Sequence, residues 1–238
     1  MTVFTAPHLP TFAQLLDLEE IDRDLYRGVN EVPENGRPNL YGGQIAAQAL
    51  MAAGLTVPAG RHPHSMHGYF LRPGMRANPV VFRVERDRDG RSFSARRVSA
   101  LQDGAVIFDL TASFHVDEPG GEFAKAMPEG LPGPDECRVE PFNANFPNAE
   151  ARVVPPTTVT PEGNEVSSTM WLRIREPLAD DRLMHSCALA YLSDIGTGFL
   201  SIDQPGLPKG GPSLDHAMWF RVPLRADEWV LHHMWPLH

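Results

Sequence analysis

The chain has 238 residues, with 30 acidic and 21 basic side chains and a net charge of −9. A pI near 5.5 argues against nucleic acid or an anionic membrane as partner, and 42% apolar with 21% charged residues excludes a disordered or fibrous chain. No run approaches the about 18 apolar residues of a membrane span. The opening MTVFTAPHLPTFAQLL lacks the basic and apolar regions of a secretory signal. Cys137 and Cys187 form no CxxC or Cys/His pattern and are expected to be reduced thiols of a cytoplasmic protein. Only Lys125 and Lys209 of the basic residues are lysine, and prolines, at 23, are about twice the usual share of about 5%.

In chain order, Tyr26–Glu31 is a possible first strand. The segment Tyr41–Gly54 is rich in strong helix formers, and Gly54 can end it. Apart from Gln44 and Gln48, one turn apart, its side chains are apolar all round, which predicts a helix buried on most sides. Ser65–Leu71 reads as a strand. Val80, Phe82 and Val84 alternate, Asp89-Gly90 offers a hairpin turn, the run Arg91–Leu101 follows, and Asp103-Gly104 offers a second turn. Val106, Phe108, Leu110, Ala112, Phe114 and Val116 then occupy every second position, a strand with one buried face. These runs predict an antiparallel meander wrapped around the helix.

Residues 119–161 hold Pro119, Pro128, Pro132, Pro134, Pro141, Pro147, Pro155, Pro156 and Pro161, so the stretch reads as a long connection. Beyond it, Thr169–Arg175 is a predicted strand. Asp180 or Asp181 can cap an apolar helix through Leu183–Leu192, and Leu214–Val222 and Glu228–Trp235 read as further strands. Tyr69-Phe70 with Pro73 recurs as Trp219-Phe220 with Pro223, which supports an internal duplication. The expected organisation is a first unit over 1–118, a linker over 119–165 and a second unit over 166–238. The counterparts of the strands at 91–116 would fall beyond residue 238, so the second unit is expected to lack its last two strands.

No GxSxG, Walker loop or HExxH is present, and Gly196-Thr-Gly198 reads as a turn. His62, His64 and His67 lie close in sequence, but strand alternation separates His67 from the other two and no acidic or cysteine partner lies nearby. Gly42-Gly43 opens the first helix. The pair either brings backbone N–H donors close to a ligand or makes a tight entry turn. Asp194 ends the second helix, where the negative end of the dipole disfavours a carboxylate. It is either a plain polar exit residue or a base held there by its surroundings. Ser213 precedes a strand and could equally be a turn residue. Arg91, Arg96 and Arg97 could bind phosphates, although solvated strand arginines are commoner.

Five ordered blocks now combine: Leu40-Tyr-Gly-Gly-Gln44, His64–Gly74, Asp89–Val98 with its continuation to Phe114, Tyr191-Leu-Ser-Asp194, and Leu214–Phe220. Over roughly residues 10–235 the chain resembles the acyl-CoA thioesterase II family. That resemblance implies an α+β double hotdog, two tandem antiparallel sheets each wrapped around a central helix. It implies hydrolysis of acyl-CoA to free fatty acid and CoA by water attack, with no metal, no other cofactor and no covalent intermediate. By the same resemblance Asp194 orients and deprotonates the water and Ser213 supplies a positioning hydroxyl. Gly42, Gly43, Gln44 and His67 are the candidate substrate-binding residues. A third family residue, a glutamine in the last strand of the second hotdog, falls in a stretch this chain does not have. A homo-oligomer is expected, because hotdog sheets commonly pair side by side. The alternative is a hotdog protein that binds acyl-CoA without turnover. A hydratase on the same fold is disfavoured, because its Asp-x-Asn-x-x-His pattern is absent.

Overall fold

A computed structural model describes residues 9–31, 38–121, 126–139, 145–155, 168–196 and 211–234. The first element is a short helix α1, Phe12–Leu16, which the sequence reading missed. A reciprocal cap holds it: Thr11 Oγ1 accepts from the Gln14 amide at 3.2 Å and Gln14 Oε1 accepts from the Thr11 amide at 2.9 Å. Strands β1 (Glu19–Asp22) and β2 (Leu25–Gly28) follow. Helix α2, Gly42–Gly54, is buried at every position after Gly42. Its two polar side chains are satisfied inside. Gln48 Nε2 donates to Leu15 O at 2.9 Å and Val29 O at 2.7 Å, and Gln44 Nε2 donates to Asn30 Oδ1 at 3.0 Å.

The meander forms as expected: β3 Arg61–Phe70, β4 Val80–Asp89, β5 Phe93–Gln102 and β6 Ala105–Val116. The alternating residues Phe108, Leu110, Ala112 and Phe114 are fully enclosed against α2, together with Phe82 and Val98. The turn at Asp103-Gly104 takes positive φ at both residues, the conformation that closes a two-residue hairpin.

The second half builds β7 (Arg138–Val139), β8 (Ala149–Val153), β9 (Ser168–Ile174), α3 (Arg182–Ser193), β10 (Asp215–Trp219) and β11 (Val230–Met234). Strands β7 and β8 lie inside the stretch read as linker. Pro147 and Pro155 flank β8 without interrupting it, so the proline count hid a strand that the prolines delimit. Pro141, Pro156, Pro161, Thr197, Gly198, Trp235 and His238 lie outside the described residues.

All strand pairings among the described residues are antiparallel. One sheet runs β1-β2-β4-β5-β6-β3-β10 and the other β11-β9-β8-β7. Strand β10 therefore crosses to the first unit's sheet, pairing Asp215 with Tyr69 through Trp219 with Ser65. Among the described residues, β10 and β11 each end a sheet, with one edge that no strand covers. No helix among them is long and apolar enough to cross a membrane.

Helices α2 and α3 pack on one another in opposite directions. Gly54, at the end of α2, meets Leu183 at the start of α3, while Gly43, at the start of α2, meets the Tyr191 carbonyl near the end of α3. This antiparallel contact sets the positive N-terminus of α2 beside the negative C-terminus of α3.

Candidate active site

The α2–α3 junction gathers four of the residues singled out by sequence. Asp194 is the C-cap of α3, and the left-handed Gly196 (φ +87°) ends the helix just beyond it. Asp181, the further of the two predicted capping acids, starts the helix by accepting from the Leu183 and Met184 amides at 3.2 and 3.3 Å. Ser213 Oγ donates to Asp194 Oδ1 at 3.0 Å, bridging 19 residues. The other carboxylate oxygen lies against Gly42: a Cβ built there would sit 2.6 Å from Asp194 Oδ2 and 3.1 Å from the Phe70 ring. Of the two readings of Gly42-Gly43, the structure shows the tight entry turn. The tight entry turn is what lets the carboxylate approach the helix N-terminus.

That placement resolves the electrostatic objection to Asp194. Its own helix ends there unfavourably, but the first turn of α2 faces it. The amides of Gly42, Gly43 and Gln44 have no intrahelical partner, because the first i→i−4 bond of α2 is Ile45 to Tyr41 O, at 3.3 Å. Tyr41, the N-cap, makes no side-chain cap. Its entry is fixed from outside by Leu40 N donating to Gly74 O at 2.8 Å and Arg76 N donating to Pro38 O at 2.9 Å.

The shell around Asp194 contains groups whose role the sequence reading missed. Tyr41 Oη donates to Tyr191 O at 2.6 Å. Burial pushes the Tyr41 hydroxyl well above its ordinary range, and the charge of Asp194 adds to the effect. His216 Nε2 lies 2.9 Å from Ser193 Oγ. Burial lowers its imidazole, against the opposing pull of Asp194 and then Asp215, so it favours the neutral form. Tyr41 and Tyr191 stood in the sequence blocks only as motif letters. No spacing rule ties His216 to Ser193 across 23 residues.

Two predicted substrate-binding residues are not brought to this cluster. Gln44 is 1% exposed and turned toward residues 29–31, bonding Asn30 Oδ1 and receiving the Glu31 amide at 3.4 Å. Its backbone, not its side chain, faces the junction. His67 lies on the opposite face of the sheet from its buried neighbours Met66 and Gly68. There it is half-exposed and 3.2 Å from Asp215 Oδ2 across the β3–β10 pair.

Among the described residues, no group of three or more His, Cys, Asp or Glu side chains could hold a metal ion. His64 stacks edge-on to Phe93 and His115 instead, and His62 points to Asp117. Arg96, taken as a solvated strand residue or phosphate ligand, is neither. It is fully buried and bonds Thr56 Oγ1 at 2.7 Å, Thr56 O at 3.0 Å and Asp89 Oδ1 at 2.8 Å. Arg97 pairs with Glu85 on the surface.

An antiparallel sheet against each of two central helices, with the helices' opposite ends meeting at a carboxylate, defines the class as a double hotdog protein. Residues 33–115 match the acyl-CoA thioesterase N-terminal domain and residues 122–235 the acyl-CoA thioesterase C-terminal domain. The chain is 38% identical to acyl-coenzyme A thioesterase 8 of Mus musculus over 92% of its own length and 76% of that protein. It is 34% identical to acyl-CoA thioesterase 2 of Haemophilus influenzae, over 94% and 85%. The crystal structure of an acyl-CoA thioesterase II, TesB2, from Mycobacterium marinum superposes with a TM-score of 0.77 at 40% identity, covering 94% of this chain and 84% of that one. The chain belongs to the acyl-CoA thioesterase II family.

Proposed function

We propose that this chain hydrolyses acyl-CoA thioesters by direct attack of water, with Asp194 as general base. The observation that carries the reading is the convergence of Ser213, Asp194 and Gly42 where α2 begins and α3 ends. Ser213 ties down Oδ1, and Oδ2 lies against Gly42 at the start of α2. Asp194 takes a proton from water as the oxygen bonds to the thioester carbonyl carbon. The first-turn amides of α2 stabilise the developing oxyanion. Collapse breaks the C–S bond, releasing carboxylic acid and CoA thiolate, and the proton held on Asp194 goes to the thiolate or to solvent. Gly42 and Gly43 serve as substrate contacts through their backbone.

The proposal includes a cytoplasmic setting, supported by Cys137 and Cys187 as free, buried thiols. It includes a homo-oligomer, supported by the exposed Tyr69, Leu71, Leu214 and Trp219 around the β3–β10 pair. The test of function is CoA release from a panel of acyl-CoAs of increasing chain length. Turnover that depends on Asp194 is expected. Saturable acyl-CoA binding with no CoA release would overturn the reading and leave a binding protein.

A further inference from the structure

The last turn of α3 is held from outside the helix. The amides of Asp194 and Ile195 both turn to Leu192 O, so the Tyr191 carbonyl is left without an intrahelical donor. Tyr41 Oη fills that place at 2.6 Å. At the other end of the same residue, Tyr191 Oη donates to Glu31 Oε1 and Oε2 at 3.0 and 3.2 Å. Glu31 is itself fully buried. Asn148 Nδ2 donates to its carboxylate at 2.5 Å and Arg76 Nη1 to its backbone carbonyl at 3.0 Å. The Tyr191 ring, also fully buried, is packed edge-on to Phe12 at 5.2 Å and Tyr41 at 5.0 Å. First-unit groups therefore grip both the hydroxyl and the carbonyl of one second-unit residue, three positions before Asp194.

We infer that Glu31 and Tyr41 are positioning residues for the reaction: they clamp Tyr191, and through it set the Asp194 carboxylate against the N-terminus of α2. The arrangement has features that packing alone does not require. A buried carboxylate that only filled space would be better replaced by an apolar side chain. Two aromatic rings would pack without their hydroxyls, yet both hydroxyls bond the far side of the unit boundary. The inference rests on the proposed role of Asp194, and its test separates the two.

Tyr41→Phe removes one hydroxyl and keeps the ring against Phe146 and Tyr191. We expect kcat for CoA release to fall about 10-fold with KM within about twofold, the signature of a misplaced catalytic group. The same substitution is then made in an Asp194→Asn background. A clamp that acts through Asp194 produces no further loss there, whereas a general structural defect lowers the residual rate by the same factor. Glu31 gives an independent pair of variants, since Glu31→Gln keeps an acceptor for Tyr191 and Glu31→Leu does not. Recovery of kcat in Glu31→Gln over Glu31→Leu supports the clamp even if Tyr41→Phe fails to fold. If Asp194→Asn abolishes turnover while Tyr41→Phe and Glu31→Leu retain the parent kcat, the clamp is wrong and the base stands. If Asp194→Asn turns over like the parent, the proposed mechanism falls and the clamp's role falls with it.

Discussion

Alanine at Gly42 and at Gly43 separates the site's chemistry from its packing, because the two methyl groups meet different kinds of atom. A Cβ on Gly42 would lie 2.6 Å from Asp194 Oδ2, where ordinary contact begins at 3.4 Å, so the carboxylate must retreat by the difference, 0.8 Å. That oxygen is the far end of a rotatable side chain, and the Phe70 ring at 3.1 Å need give by only a few tenths of an ångström, so both yield more cheaply than backbone. The reduced freedom of the unfolded chain returns about 0.4–1 kcal/mol. Stability should stay near the parent value. Catalysis should not, since a displacement of about 1 Å at a reacting group costs on the order of 10²-fold. At Gly43 the methyl would run into the Tyr191 carbonyl and reach 2.7 Å from the Tyr41 ring. Backbone cannot rotate away, so α2 must lift from α3 at a cost of about 1–3 kcal/mol, on the order of 5 °C in Tm. The assay is steady-state CoA release by a thiol reagent beside a thermal melt. Gly42→Ala is expected to lose about 30- to 100-fold in kcat with Tm within about 2 °C of the parent. A Gly42→Ala variant with parental kcat, or one whose Tm falls as far as that of Gly43→Ala, would refute the reasoning.

Ser213→Ala removes the 3.0 Å hydrogen bond to the Asp194 carboxylate. A bond to a charged group is worth about 1.5–3 kcal/mol, so kcat/KM should drop about 10- to 100-fold, and Ser213→Thr should recover most of it. His232 predicts a pH effect on stability. Burial first, then His216 and His233, lower its imidazole to about 4. A histidine depressed in the folded state leaves the unfolded chain binding more protons between about 4 and its ordinary 6.5, so stability falls as pH drops through that window. Chemical denaturation from pH 7 to 4 should show a shallower decline in His232→Asn, and parallel curves for the two proteins would contradict the assignment.

What could be read from the sequence was whatever is local. The alternation read from Val106 to Val116 holds from Phe108 to Phe114 as one buried face of β6, with the two end valines half-buried, and needs no partner to be seen. Asp181 capping α3 and the Asp103-Gly104 turn are likewise decided within four residues. The family resemblance pointed to Asp194 and Ser213, whose contact spans 19 residues and follows no spacing rule. What stayed hidden depends on long-range pairing. Tyr41 to Tyr191 spans 150 residues and Glu31 to Tyr191 spans 160, and neither has a pattern in the chain. Strand β8 was concealed because proline density counts punctuation, while strand identity depends on what lies between. His67 and Gln44 show the limit of reading a motif by its letters. Strand alternation turns His67 to the outer face of the sheet, and helical geometry turns the Gln44 side chain away from the junction its backbone lines. For Arg96 the sequence offers phosphate binding or, more commonly, a solvated strand position. The meander instead buries it beside Thr56 and Asp89, which satisfy its guanidinium.

The central claim is that one carboxylate, placed by two antiparallel helices, activates water for thioester hydrolysis. Asp194→Asn tests it most directly, because the amide keeps the shape and an acceptor for Ser213 but cannot take a proton. Measured as CoA release from a saturating acyl-CoA, with acyl-CoA affinity followed alongside, the variant should retain binding and lose about 10²–10⁴-fold in kcat. An Asp194→Asn protein that binds acyl-CoA and turns it over at the parental rate would contradict the account.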